Sequence, residues 1–162
     1  MTDISKVINA MIGYYAGDIP RINHFLKVYG FAKAIGETEN LDKVTMNILE
    51  IAALVHDIGI KVSEKKYQST SGYYQQIEGP PEARKMLKEF NFEQRLIERV
   101  CWLIAHHHTY HNIEGIDHQI LVEADFLVNL YAKETSLESI KEIRGRIFKT
   151  NTGKLFLDLM YK

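Results

Sequence analysis

Cysteine is nearly missing from this sequence. One residue in 162, Cys101, leaves no partner for an intrachain disulfide, so nothing points to an oxidising compartment. Its neighbours Val100, Trp102, Leu103 and Ile104 are apolar, which reads as a packed core thiol rather than a nucleophile. Net charge is missing as well: 20 basic against 21 acidic residues leave −1, which excludes a global basic field for nucleic acid or an anionic membrane. No run is long and apolar enough to span a bilayer. The start, Met1-Thr2-Asp3-Ile4-Ser5-Lys6, lacks the basic opening and clean apolar stretch of a signal peptide, so a cytoplasmic protein is expected. Alternating strand patterns, internal repeats and low-complexity linkers are absent too. What is present is 46% hydrophobic residues over a length normal for one domain, 1–162, enough to build a sizeable core.

The remaining pattern is helical, and it predicts an all-α bundle of about six to eight helices. A first amphipathic segment covers 4–16 and stops at Gly17. Asp18 with Pro20 looks like a cap and first turn, opening a helix to about Ile35 with Gly36 as its stop. Asp42 caps a third helix reaching Val55 and His56, broken by Gly59. Residues 61–78 are polar with weak periodicity and read as a long ordered loop. Pro80-Pro81 opens the next helix, to about Phe90. Another runs from Glu93 to about His107, one from Asp117 to Tyr131, one from Ser136, and a short one after Thr150.

Helical period selects the polar residues that face inward. His24 shares a stripe with Val28, Phe31 and Ile35; His56 with Leu49 and Ala52; His107 with Leu96, Val100 and Leu103. Asp125 lies on or beside the stripe Leu121, Ala124, Val128. A carboxylate on a buried face is costly unless it is paired, hydrogen-bonded or bound to metal. Imidazole and carboxylate together are standard ligands for divalent transition metals. Taken singly, each of these residues has an ordinary structural explanation. The adjacent pair His56-Asp57, between Ile51-Ala52-Ala53-Leu54-Val55 and Ile58-Gly59, is harder to explain that way.

The order Asn23-His24-Phe25-Leu26-Lys27-Val28, then Ala53-Leu54-Val55-His56-Asp57-Ile58-Gly59, then Val122-Glu123-Ala124-Asp125 resembles the HD superfamily of metal-dependent phosphohydrolases. The resemblance covers most of residues 20–132. It implies an all-helical HD domain with His24, His56, Asp57 and Asp125 as ligands of a divalent ion. Mn, Fe, Co, Ni, Zn and Mg are not distinguished. It also implies Asp57 as the bridging ligand where two ions are held. Relatives with two ions carry a histidine before a Gly-Ala pair; the matching stretch Gln76-Ile77-Glu78-Gly79-Pro80-Pro81-Glu82-Ala83 places Glu78 there. That departure favours one principal ion, with Glu78 left as a ligand to a second ion or a general acid/base. The later histidines of the family are matched by His106-His107-His108, of which His107 and His108 continue apolar stripes.

The function implied is hydrolysis of a small phosphate ester, a nucleotide or related metabolite, by water activated at the ion. Asp57, Glu78 and His107 are the catalytic candidates: the carboxylates to orient water, the imidazole to donate to the leaving group. Lys61, His108 and Arg21 are candidates for holding phosphate, with Arg84 behind them. Tyr67, Tyr73 and Tyr74 either stack on a base or pin the 61–78 segment. His111 and His118 read as surface residues. Thr150-Asn151-Thr152-Gly153-Lys154 reads as a turn and helix cap, because it lacks the first glycine of a phosphate loop and no strand precedes it. A competing reading is a metal-containing nucleotide sensor without turnover; another is a metal kept only for stability. No stable nucleic-acid or membrane partner is expected. Phe156, Leu157 and Tyr161 suggest a face for a homodimer.

Overall fold

Residues 1–162 form nine α-helices and no strand in the computed structural model. Capping chemistry starts most of them. Thr2 accepts from the Ser5 amide to open α1 (Asp3–Tyr14), which Gly17 follows at φ +87. Asp18 accepts from the Arg21 amide to open α2 (Ile19–Thr38). Asp42 accepts from the Val44 and Thr45 amides at α3 (Lys43–Val55). The helix α6 runs Gln94–His106 and α7 Ile116–Ala132. Ser136 and Thr150 cap α8 (Leu137–Arg146) and α9 (Asn151–Met160).

One continuous core draws buried apolar side chains from every helix except the short α4 (Gly59–Tyr67). Its centre is α3, where Leu49, Ile51, Ala52, Ala53, Leu54 and Val55 are all fully buried. A helix that is apolar all round belongs inside. Around it stand α1, α2, α6 and α7. His56 and Asp57 therefore emerge from the middle of the bundle, and α2, α6 and α7 present their polar residues to the same end.

The polar stretch 61–78 is not a loop. It holds α4 (Gly59–Tyr67), a left-handed Gln68, and the first half of α5 (Gly72–Glu89), capped by Ser71. The residues these helices turn inward are Gly59, Ile60, Ser63, Gln75, Glu78 and Gly79, almost none of them apolar, so hydrophobic periodicity is silent there. Pro80 and Pro81 accordingly lie inside α5 rather than opening a helix, and leave the carbonyls of Gln76 and Ile77 without their helical donors. Gly36 does not end α2. A Cβ there would sit 2.7 Å from the Met46 sulfur, so its role is to let α3 come close. Asp117 is not the cap of α7 but sits in its first turn, where both its oxygens hold Arg99.

Cys101 is buried, its thiol donates to the Pro80 carbonyl, and burial pushes its pKa up, as befits a structural residue. Thr150 is the cap of α9, as its sequence suggests. Of the residues expected at a dimer face, Leu157 is buried, while Phe156 and Tyr161 are half-buried, Phe156 meeting Phe31 and the Tyr161 hydroxyl donating to the Leu127 carbonyl. No helix is long and apolar enough to cross a membrane.

Candidate metal centre

Four side chains, from α2, α7 and the turn that ends α3, meet at one end of the bundle. His24 Nε2 (α2) lies 3.1 Å from His56 Nε2, 3.1 Å from Asp57 Oδ2 and 3.2 Å from Asp125 Oδ1 (α7). His56 Nε2 lies 3.3 Å from Asp57 Oδ2 and 3.5 Å from Asp125 Oδ1. Donors bonded to an ion at about 2.1 Å lie about 3.0 Å apart at right angles and about 3.4 Å apart in a tetrahedron. The observed separations, 3.1 to 3.5 Å, fall in or next to that interval.

The tautomers agree. His56 Nδ1 lies 2.7 Å from the Ala53 carbonyl, and His107 Nδ1 lies 2.7 Å from the Ile104 carbonyl. A carbonyl only accepts, so both Nδ1 atoms carry hydrogen, and the neutral ring then offers a bare lone pair at Nε2. His107 Nε2 is fully buried, has no hydrogen-bond partner, and lies 3.5 Å from Asp57 Oδ1. An orphaned lone pair beside a carboxylate is costly unless a cation shares it. The donor set therefore fits a divalent metal ion. His108 extends it: Asp57, His107 and His108 form a second group of metal-type donors, sharing Asp57 with the group His24, His56, Asp57.

The same geometry governs protonation. Burial disfavours the imidazolium of His24, but hydrogen bonds to Asp125 and Asp57 outweigh it and raise the pKa. His56 is raised well above its ordinary value against still deeper burial, by Asp57 and Asp125. Burial would lift the Asp57 and Asp125 carboxyls; the facing imidazoles hold both well below the usual carboxylate range instead. His108 goes the other way, to about 4, through burial and the neighbouring His107. A site that draws protons onto its histidines between two carboxylates draws cations generally.

Other sequence candidates sit elsewhere. Glu78 belongs to neither donor group. Both its oxygens take the Lys66 ammonium, at 3.2 and 3.0 Å, and one takes the Tyr67 hydroxyl at 2.8 Å. It lies three residues along α5 from Gln75, on the same side of the helix but about one turn further from the cluster. Gln75 is the residue of α5 that reaches the site, its Oε1 3.2 Å from His108 Nε2. Lys61 is exposed, donates to the Tyr14 carbonyl at 2.7 Å and lies over the Tyr14 ring. Arg21 makes a two-pronged contact with Glu64. Arg84 makes another with Glu98. Tyr67 stacks on Tyr74, which Tyr73 meets edge-on, so the three tyrosines pin the α4–α5 junction. His111 is exposed, but His118 is fully buried; it accepts from the Glu114 amide and meets the His106 carbonyl, securing the end of α6.

Sequence reasoning missed three supporting residues. Gln75 and Tyr15, whose hydroxyl donates to the Asp57 carbonyl at 2.7 Å, carry no signal. Asn129 does: it stands four residues after Asp125 on α7, and its amide donates to Asp125 Oδ1 at 2.9 Å.

A family profile described as HD domain matches residues 21–141. The chain belongs to the HD domain family. Among solved structures, a predicted HD superfamily hydrolase from an uncultured Thermotogales bacterium superposes with a TM-score of 0.70 at 20% identity. That match covers 97% of this chain and 84% of the other. Comparison with proteins of curated function finds no match. The matched segment takes in all four residues of the principal HD cluster and both further histidines of the second one.

Proposed function

We propose that this HD protein hydrolyses a small phosphate ester, a nucleotide or related metabolite, at the His–Asp cluster. One observation carries the reading: the lone pairs of His56 and His107 and the carboxylates of Asp57 and Asp125 converge, with His24, at an open end of the bundle. A site meant only for stability would close its ligand sphere within one group of four. Here donor atoms continue past it, through Asp57 to His107 and His108.

His24, His56, Asp57 and Asp125 would hold the principal ion, and His107 and His108 with Asp57 a second. Bound there, a divalent ion supplies Lewis acidity toward a phosphoryl oxygen and lowers the pKa of water. Hydrolysis forms a bond between the water oxygen and phosphorus and breaks the ester P–O bond. The leaving oxygen ends as an alcohol, having gained the proton that the water loses. Asp57 orients the water. His107 serves as a lone-pair donor rather than as the acid to the leaving group, since its hydrogen is committed to Ile104. Asn129 and Tyr15 fix the carboxylate and backbone of Asp125 and Asp57, and Gln75 orients His108. Arg21 and Lys61 reach phosphate only by giving up Glu64 and the Tyr14 carbonyl; Glu78 takes no part.

The test is phosphate release from nucleotides and sugar phosphates with Mn, Co, Ni, Zn and Mg in turn, on protein whose metal content is measured as purified. His56→Ala and Asp57→Ala should abolish turnover while circular dichroism stays helical. Unchanged turnover in either folded variant overturns the proposal. Tight nucleotide binding without any release would favour the sensor reading instead.

A further inference from the structure

A cavity of about 220 Å³ opens directly beside the cluster, with Asp125 in its wall. It is smaller than the roughly 300–1,000 Å³ of drug-sized sites, and so suits a single ring rather than a whole ligand. Tyr110 and Phe126 line it, their rings meeting at 63° with centroids 4.9 Å apart. Tyr110 is 39% exposed, and its hydroxyl lies 3.3 Å from His108 Nδ1. Burial and the nearby charges of Asp125 and Asp57 push the tyrosine pKa up to about 12, which keeps it neutral. An apolar ring face thus stands next to the donor cluster.

The polar lining is ordered along α7. Asp125, Asn129 and Lys133 stand at intervals of four, on one stripe that leads away from the cluster. Asn129 gives one amide hydrogen to Asp125, which orients its carbonyl oxygen to accept from a ligand. Lys133 is exposed, is the cavity's single cation, and faces no carboxylate in the lining other than Asp125. Helical rise puts it about 12 Å along the helix from Asp125. That is too far to share a phosphate at the cluster and suits a group at the other end of the same molecule. Thr135 adds a hydroxyl at that end.

We infer that this cavity is the leaving-group subsite: Tyr110 lies against a flat ring on the ester's alcohol side, and Lys133 meets a second anionic group carried beyond that ring. The inference rests on the phosphate-ester reading and narrows its substrates to ring-bearing esters with a distal negative charge. It assigns specificity to Tyr110 and Lys133, outside the metal ligands.

Binding and turnover separate the two proposals. Calorimetry on the manganese-loaded protein would compare methylphosphonate, phenylphosphonate and 4-carboxyphenylphosphonate, none of which is hydrolysed. The phenyl compound should bind about tenfold tighter than the methyl, and the carboxylated one several-fold tighter again. In Tyr110→Ala the phenyl-to-methyl ratio should fall toward one, while Tyr110→Phe retains it. In Lys133→Ala the carboxylate advantage should vanish, and with it the weakening of that advantage by salt. A wild-type ratio near one, or ratios that survive both substitutions, overturns the subsite. Ring selectivity in binding with no release of phosphate from phenyl phosphate under any metal would leave the subsite standing and refute hydrolysis.

Discussion

Metal binding should appear first as stability. At a free metal concentration 100 times Kd, binding to the native state alone contributes about 2.7 kcal/mol. For 162 residues the unfolding entropy is about 0.34 kcal/mol/K, so the melting temperature should rise by about 8 °C over the chelated protein. His56→Ala removes a fully buried ligand, and Asp125→Asn removes a charge that His24 and His56 both face. If either loosens the ion about 100-fold, in line with the upper end seen even for supporting residues, the same metal concentration yields about 0.4 kcal/mol and a shift near 1 °C. The shift, rather than the absolute melting temperature, is the observable, because His56→Ala also loses the contact to the Ala53 carbonyl. The pH dependence has a definite sign. The pKa values of His24 and His56 are raised without metal, so below them the ion must displace protons. Affinity should therefore weaken as pH falls, by about tenfold per unit for each proton displaced. Scanning calorimetry with chelator and with metal at pH 8 and pH 6 measures both effects. An 8 °C shift that persists in the two variants, or an affinity equal at the two pH values, would refute the reasoning.

Other expectations concern the frame. Gly59→Ala should cost about 1–3 kcal/mol or more in denaturant unfolding, because a Cβ there would lie 2.7 Å from the Gln75 carbonyl and the Gly79 nitrogen and force α4 off α5. Glu123→Ala should cost about 3 kcal/mol by the same measurement: its buried carboxylate takes the Lys149 and Thr150 amides, the Thr150 hydroxyl and the Gln119 side-chain amide, and of these only Gln119 keeps another acceptor, the Ile147 carbonyl. Glu78→Gln should leave the metal-induced melting shift intact, whereas Gln75→Ala should reduce the contribution of a second ion; equal loss in both would place Glu78 back in the site.

The contrast between Glu78 and Gln75 shows where sequence reading stops. His24, His56, His107 and Asp125 announce themselves because polar residues interrupt otherwise apolar stripes on α2, α3, α6 and α7. Nothing of that kind marks α4 and α5. Apart from Ile60, the residues that α4 and the first half of α5 bury are glycine, serine, glutamine and glutamate, since the neighbours they meet are largely backbone and a polar site rather than the hydrophobic core. The pattern consequently reads as a loop, and Gln75, the residue of α5 that reaches the cluster, lies three positions before Glu78, to which the family likeness points. His118 fails for a related reason: its partners are an amide and a carbonyl, and a satisfied buried histidine leaves no mark on periodicity.

Local chemistry, readable residue by residue, determined the helical class, the caps at Asp18, Asp42, Ser136 and Thr150 and the inward faces, and the resemblance to the HD superfamily added the four residues of the principal cluster. Tertiary structure alone decided that α4 and α5 exist as helices, that Glu78 is tied to Lys66 and Tyr67, that His107 keeps a bare lone pair beside Asp57, and that a ring-sized cavity adjoins Asp125. The division is physical. Capping and amphipathicity act over a few residues, whereas the direction of a lone pair and the shape of a cavity depend on groups brought together from distant parts of the chain.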